Sequence, residues 1–235
     1  MAAPGACGVA RVDDVYVVWR KQTACALDRL TAAVAGGPHV HCEMVFAVAP
    51  LAQARERSLL AVASIYPRGV YASDLCTDKF YGVSGDRDPG DWQWTCMNVT
   101  RWFPTAADRM DLWQWSAAKV GGCGYAVGAA AAFAAPCGGG GVFYGSDVAD
   151  KPSYLCSELV ADALFRAARD ERPEAAPALA GLAARCKASM FARGGTNKVS
   201  PQALLDFIEA EGRSHTVSRM DLLLSISAGA TVPWS

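Results

Sequence analysis

An α+β fold with a mainly antiparallel sheet is what this sequence predicts, and three observations carry the prediction. β-Branched and aromatic runs crowd the first hundred residues, whereas helical periodicities crowd the second half. Apolar residues make up 52% of the chain and charged residues 19%, enough to build a sizeable core. The length of 235 residues suits one domain with insertions. We read residues 1–235 as a single domain, with a core over about 12–210 and a C-terminal extension over 211–235.

Residues 12–19 form the first strand, because Val15, Tyr16, Val17, Val18 and Trp19 follow one another without a break. Asp13 and Asp14 stand at its entrance. Residues 22–35 have helical spacing, with Ala26, Leu27, Leu30 and Val34 on one face, and Gly36, Gly37 and Pro38 stop the helix. Residues 39–48 and 59–66 are the second and third strands, with 69–71 continuing the sheet edge after Pro67. Residues 86–90 form a polar turn and residues 92–99 a fourth strand. Thr105 and Asp108 have capping-box spacing before a helix that ends at Gly121 and Gly122. Residues 123–136 read as a loop with a small-residue helix, and 138–141 as a glycine loop. A strong helix runs over 154–169, with Leu155, Leu159, Val160, Ala163, Leu164 and Ala167 on one face. Residues 172–177 break it, and 179–186 suit a further short helix. Ser200 caps a last helix through residue 211, with Pro201 at its first position.

Composition narrows the function. Lys and Arg total 22 against 23 Asp and Glu, a net charge of −1. No basic stripe marks a nucleic-acid surface. No stretch reaches the ~18 apolar residues of a membrane span. The first eight residues lack the basic and apolar regions of a secretory signal. Nine evenly spread cysteines without a C-x-x-C pair predict neither a zinc ribbon nor a disulfide framework. An intracellular, reducing compartment is the expectation.

Cys156 stands out among the nine. It falls in the first turn of the 154–169 helix, where the helix dipole and the backbone N–H groups favour a thiolate and can hold an oxyanion. Three histidines exist: His39, His41 and His215. On the second strand His39, His41 and Glu43 alternate onto one face, while Val40, Cys42, Met44 and Phe46 take the other. A cysteine nucleophile needs a histidine base and a group that orients the imidazole. The same trio could instead chelate a metal, with Cys42 facing the wrong way to help.

The order of several segments resembles the circularly permuted branch of the papain-like NlpC-type hydrolase superfamily. Asp14-Val15-Tyr16-Val17-Val18 is similar to its opening strand, with Asp13 in place of a glycine. His41 lies on an early strand. Gly121-Gly122-Cys123-Gly124-Tyr125 resembles the Gly-x-x-Tyr turn that precedes the nucleophile. Tyr154-Leu155-Cys156-Ser157-Glu158-Leu159-Val160 resembles the nucleophile helix, and Ser200-Pro201-Gln202-Ala203-Leu204-Leu205 the late Ser/Thr-Pro-x-x-Leu helix. Bacterial lipoprotein-type members, retinol-acyltransferase-like proteins and a poxvirus protein belong to this neighbourhood.

The resemblance implies a permuted papain-like fold, an antiparallel sheet packed against helices with the nucleophile at a helix N-terminus. It implies a thiol-dependent hydrolase or acyltransferase that cleaves an amide or ester, in a peptide or a lipid, through a thioester at Cys156. His41 becomes the general base, with His39 as fallback. Many relatives place an orienting Glu on the next strand; residues 60–66 hold none, so Glu43 takes that role, with Ser64 second. Glu158 reads as an acid in a helix's first turn. Tyr154, Ser64 and Arg68 are candidate substrate contacts, and Tyr66, Trp92 and Trp94 could line the cleft. No cofactor and no resident metal are implied. Two other classes stand beside this one: a papain-like binding or virion-associated protein without turnover, and a metal protein built on His39, His41 and Glu43.

Overall fold

A strand that is apolar at every position needs cover on both faces, and the Val15–Trp19 run has it. The structure, a computed structural model, describes residues 9–21, 26–50, 58–75, 93–127, 152–169, 200–209 and 215–218. Within it β1 (Val9–Lys21) lies between two antiparallel partners, β2 (His39–Pro50) and β5 (Gln93–Asn98). Val15, Val17 and Trp19 point into one core cluster, Tyr16 and Val18 into another on the opposite face.

The sheet has the order β4-β3-β2-β1-β5-β8, antiparallel throughout. Its other strands are β3 (Ser58–Ile65), β4 (Gly69–Asp74) and β8 (His215–Ser218). The predicted mixed content and antiparallel sheet are therefore present. Residues 69–74 form a strand of their own, joined to β3 by a turn with a cis Tyr66–Pro67 bond. Residues 215–218 were expected in a terminal extension, yet they form the sheet's last strand, against β5.

Four helices are described: α1 (Ala26–Ala35), α2 (Ala106–Lys119), α3 (Cys156–Arg169) and α4 (Pro201–Glu209). α2 starts with the full capping box that its sequence predicts: Thr105 Oγ1 accepts from the Asp108 N–H, and the Asp108 carboxylate accepts from the Thr105 N–H at 3.1 Å. Ser200 Oγ likewise caps α4 by accepting from the Ala203 N–H at 2.9 Å. α2, α3 and α4 cover one face of the sheet, where Leu112, Trp113, Leu159, Val160, Leu164, Leu204 and Ile208 meet Val17, Met44 and Phe46. Phe46 and Trp113 meet edge to face at 5.2 Å.

Three expectations change. Leu30, assigned to the apolar face of α1, is 60% exposed. Residues 153–154 form not helix but a short strand, β7 (Ser153–Tyr154), parallel to β6 (Gly124–Tyr125), so α3 starts at Cys156. Trp94 packs into the second core cluster and lines no cleft. The readings for residues 86–90, Trp92, 138–141, 172–177 and 179–186 lie outside the described residues. No described helix is long and apolar enough to cross a membrane.

Candidate active site

Cys156 owes its position to the two residues before it. Tyr154 is extended, and its carbonyl accepts from the Ser64 hydroxyl at 2.7 Å and from the Ala126 N–H at 3.1 Å. Its ring is buried edge-on to Trp115 at 6.5 Å. The chain then turns into α3, whose first intrahelical bond runs from the Leu159 N–H to the Leu155 carbonyl at 3.0 Å. Glu158 reaches back and accepts from the Leu155 N–H at 3.2 Å, the acidic half of a capping box. Cys156 is thus the first helical residue, with its amide N-terminal to the i→i−4 ladder.

The segment opposite is stitched to the sheet. The Val70 N–H donates to the Cys123 carbonyl at 2.9 Å and the Gly121 N–H to the Val70 carbonyl at 3.0 Å. Gly69 permits this approach. Its φ of +77° suits glycine, and a Cβ there would overlap the Cys123 carbonyl oxygen. Tyr125 follows on β6 and meets Tyr66 edge to face at 6.0 Å.

β2 supplies the partners of Cys156. β3 pairs with β2 only over Met44–Val48, which leaves residues 39–43 uncovered along that edge. Cys156 sits there: the Cys42 N–H hydrogen-bonds to its sulfur, and so does the Cys42 thiol. His41, from the other face of the strand, bonds to the same sulfur. His41 Nε2 lies 3.8 Å from Glu43 Oε2, a charge contact longer than a hydrogen bond. All are buried, with 9% of Cys156, 7% of His41 and 2% of Glu43 exposed.

The electrostatics follow from these contacts. The Cys42 thiol is the largest support of the Cys156 thiolate, burial opposes it, and His41 and the Cys42 N–H add to that support, so Cys156 falls well below an ordinary thiol. Burial works to lower His41, but the Cys156 thiolate and Glu43 raise it to about 9. Burial pushes Cys42 well up, helped by the neighbouring thiolate. Cys96, buried on the other face without such partners, rises to about 12. Burial, and then the Cys156 charge, take the Tyr125 phenol to about 12. The two shifts together favour a buried thiolate–imidazolium pair, with Glu43 behind the imidazole.

Of the remaining candidates, His39 is engaged elsewhere. Its Nδ1–H donates to Gln202 Oε1 at 2.7 Å and its Nε2 accepts from the Thr95 hydroxyl at 2.8 Å, the tautomer that the amide oxygen requires. Burial lowers its proton affinity, although the Gln202 bond partly restores it. His39 is therefore a structural tie and does not converge with His41 and Glu43. Among the described residues no group of three His, Cys, Asp or Glu side chains could hold a metal ion. Ser64 and Tyr154 are interior residues that position the chain before Cys156, and Ser64 is bonded to the Tyr154 carbonyl. Arg68 lies exposed in the β3–β4 turn, beside Tyr66, which is 64% exposed.

Two members of the cluster were not legible beforehand. Strand alternation put Cys42 on the wrong face, correctly for its side chain, but an atom at the strand's edge is reached from both faces. Tyr125 carried only its place in the glycine turn. Compared with protein families, curated proteins and solved structures, the chain finds no match in any of the three.

Proposed function

We propose that the chain is a thiol-dependent acyl-transfer enzyme of the permuted papain-like, NlpC-type kind, acting on an amide or ester of a peptide or lipid. One observation carries this reading: a cysteine at the first residue of a helix lies against a buried histidine that has a carboxylate 3.8 Å from its far nitrogen. The antiparallel sheet, with its histidine strand preceding the nucleophile helix, supports the same reading.

Cys156 attacks the carbonyl carbon as a thiolate, and the helix-start amide stabilises the oxyanion. The imidazolium of His41 delivers its proton to the leaving amine or alcohol, which releases the first product and leaves a thioester. Neutral His41 then takes a proton from water, or from another acceptor, and that nucleophile displaces the acyl group from sulfur. Glu43 faces Nε2 as a charge contact at 3.8 Å, which leaves Nδ1 for the thiol and the leaving group.

The test is site-resolved labelling with a thiol-directed electrophile at pH 7, combined with hydrolysis of activated esters and amides. Cys156 is expected to label first among the nine cysteines, and Cys156→Ala to remove that labelling and all turnover. Equal labelling of the Cys156→Ala variant and the unaltered chain sinks the nucleophile assignment. Labelling without turnover on any ester or amide favours the binding-protein reading.

A further inference from the structure

We propose that Cys42 is the resolving thiol of Cys156, so that a hydroperoxide converts the pair into a reversible Cys42–Cys156 disulfide. The inference rests on the reading of Cys156 as the reactive thiol and adds a modification site to it. The acyl-transfer mechanism gives the Cys42 side chain no step, yet that side chain is fully buried against the one sulfur that reacts.

The juxtaposition comes from the fold. Cys42 belongs to the core cluster that holds Leu159 and Val160, one turn along α3 from Cys156. The helix start abuts the edge of β2 that β3 leaves uncovered. There the Cys42 thiol and backbone N–H both hydrogen-bond to the Cys156 sulfur. The other described thiols are placed differently: Cys96 is in the opposite core cluster, and Cys123 is half-buried in the turn docked on Val70. A disulfide of ~2.05 Å would join two sulfurs that are already hydrogen-bonded to each other.

The chemistry balances with a hydroperoxide as the named oxidant. The Cys156 thiolate attacks one peroxide oxygen, the O–O bond breaks, and sulfur gives up two electrons to become a sulfenic acid; the other oxygen leaves as hydroxide or alkoxide. Loss of the Cys156 charge removes one of the influences that keep Cys42 protonated and leaves burial and the Glu43 charge. Cys42 gives its proton to the hydroxide or alkoxide, and its sulfur attacks the sulfenic sulfur. The S–S bond forms, the S–O bond breaks, and the departing hydroxide leaves as water after protonation from solvent. In sum, two thiols and one hydrogen peroxide become one disulfide and two waters. The Cys42 attack is intramolecular, so it outruns the second peroxide that would make the irreversible sulfinic acid. A dithiol reductant restores both thiols.

The experiment uses the full chain and hydrogen peroxide, with free thiols blocked afterwards and peptides mapped by mass spectrometry. Electrophile labelling of Cys156 and ester turnover are measured before peroxide, after it, and after dithiothreitol. The expected result is a peptide pair linked through residues 42 and 156, two hydrogens lighter than the reduced pair, with labelling lost and then fully regained. In Cys42→Ser and Cys42→Ala the loss is expected to be permanent, with sulfinic or sulfonic acid at Cys156. Sulfinic or sulfonic acid at Cys156 in the unaltered chain to the same extent as in the variants, with no 42–156 link, overturns the proposal. So does a disulfide from Cys156 to any other cysteine. The peptide map of the unaltered chain decides even where the variants do not fold. A 42–156 disulfide in a protein with no turnover sinks the acyl-transfer reading alone; turnover without the disulfide sinks this proposal alone.

Discussion

His41 is subject to two opposing influences, and the balance between them sets the chemistry. Burial alone leaves an imidazole neutral, as at His39, but the thiolate and Glu43 bring His41 to about 9. The thiolate needs that proton in return. Replacing His41 by Gln removes the cation and leaves Cys42 as the main support of the charge. Labelling of Cys156 in the unaltered chain is expected to be near its plateau at pH 6.5, and the His41→Gln variant to label tenfold or more slowly there, with its midpoint moved toward alkaline pH. A tenfold loss at pH 6.5 puts the variant's midpoint about one unit above that pH. An unchanged pH profile contradicts the ion pair. Residue types, alternation and the family resemblance together selected Cys156, His41 and Glu43 from the sequence, with the resemblance choosing His41 over His39. They could not select Cys42, because alternation describes where a side chain points and not which edge of its strand is uncovered.

At the scale of elements, the thiol is placed by a short strand and a glycine turn more than by its own helix. Periodicity predicted a helix from residue 154, but the Tyr154 carbonyl is held in extended geometry by Ser64 and Ala126. The helix therefore begins two residues later and puts Cys156 at its first position. The turn that docks β6 on β4 depends on Gly69, where φ is +77° and the Cys123 carbonyl occupies the space of a Cβ. Gly69→Ala combines left-handed strain with that overlap and is expected to cost about 2 kcal/mol or more. Urea unfolding measures it; a change below ~0.5 kcal/mol contradicts the close approach. Leu30 shows the converse limit of periodicity. The spacing shows that α1 has an apolar face, but not which residue on it meets β2 or α4.

The whole molecule is tied across its sheet by His39, which links β2 to Thr95 on β5 and to Gln202 on α4. Its depressed proton affinity and the buried ion pair together set how stability varies with pH. His41, raised from 6.5 to about 9, stabilises fully below 6.5, and that contribution is lost as pH rises toward 9. Cys156, depressed from 9.0, stabilises fully above 9, and that contribution is lost as pH falls toward its lowered value. Between 6.5 and 9 the two nearly cancel, because folded pair and unfolded chain each hold about one proton. Below 6.5 the unfolded chain binds extra protons at the positions of Cys156 and His39, so stability falls. Thermal unfolding is expected to be level from pH 7 to 8.5 and to drop below 6.5, with a shallower drop in Cys156→Ala; a steady decline from pH 7 to 8.5 contradicts the cancellation. The sequence by itself determined the α+β class, the central apolar strand, the helix caps at Thr105 and Ser200, and the residue types of the site, since each depends on neighbours within a few positions. Tertiary structure alone decided that residues 215–218 complete the sheet, that His39 serves as a tie rather than a base, and that Cys42 touches Cys156. Those outcomes depend on which edges and faces meet across 56 to 163 residues of chain, and no local pattern records that.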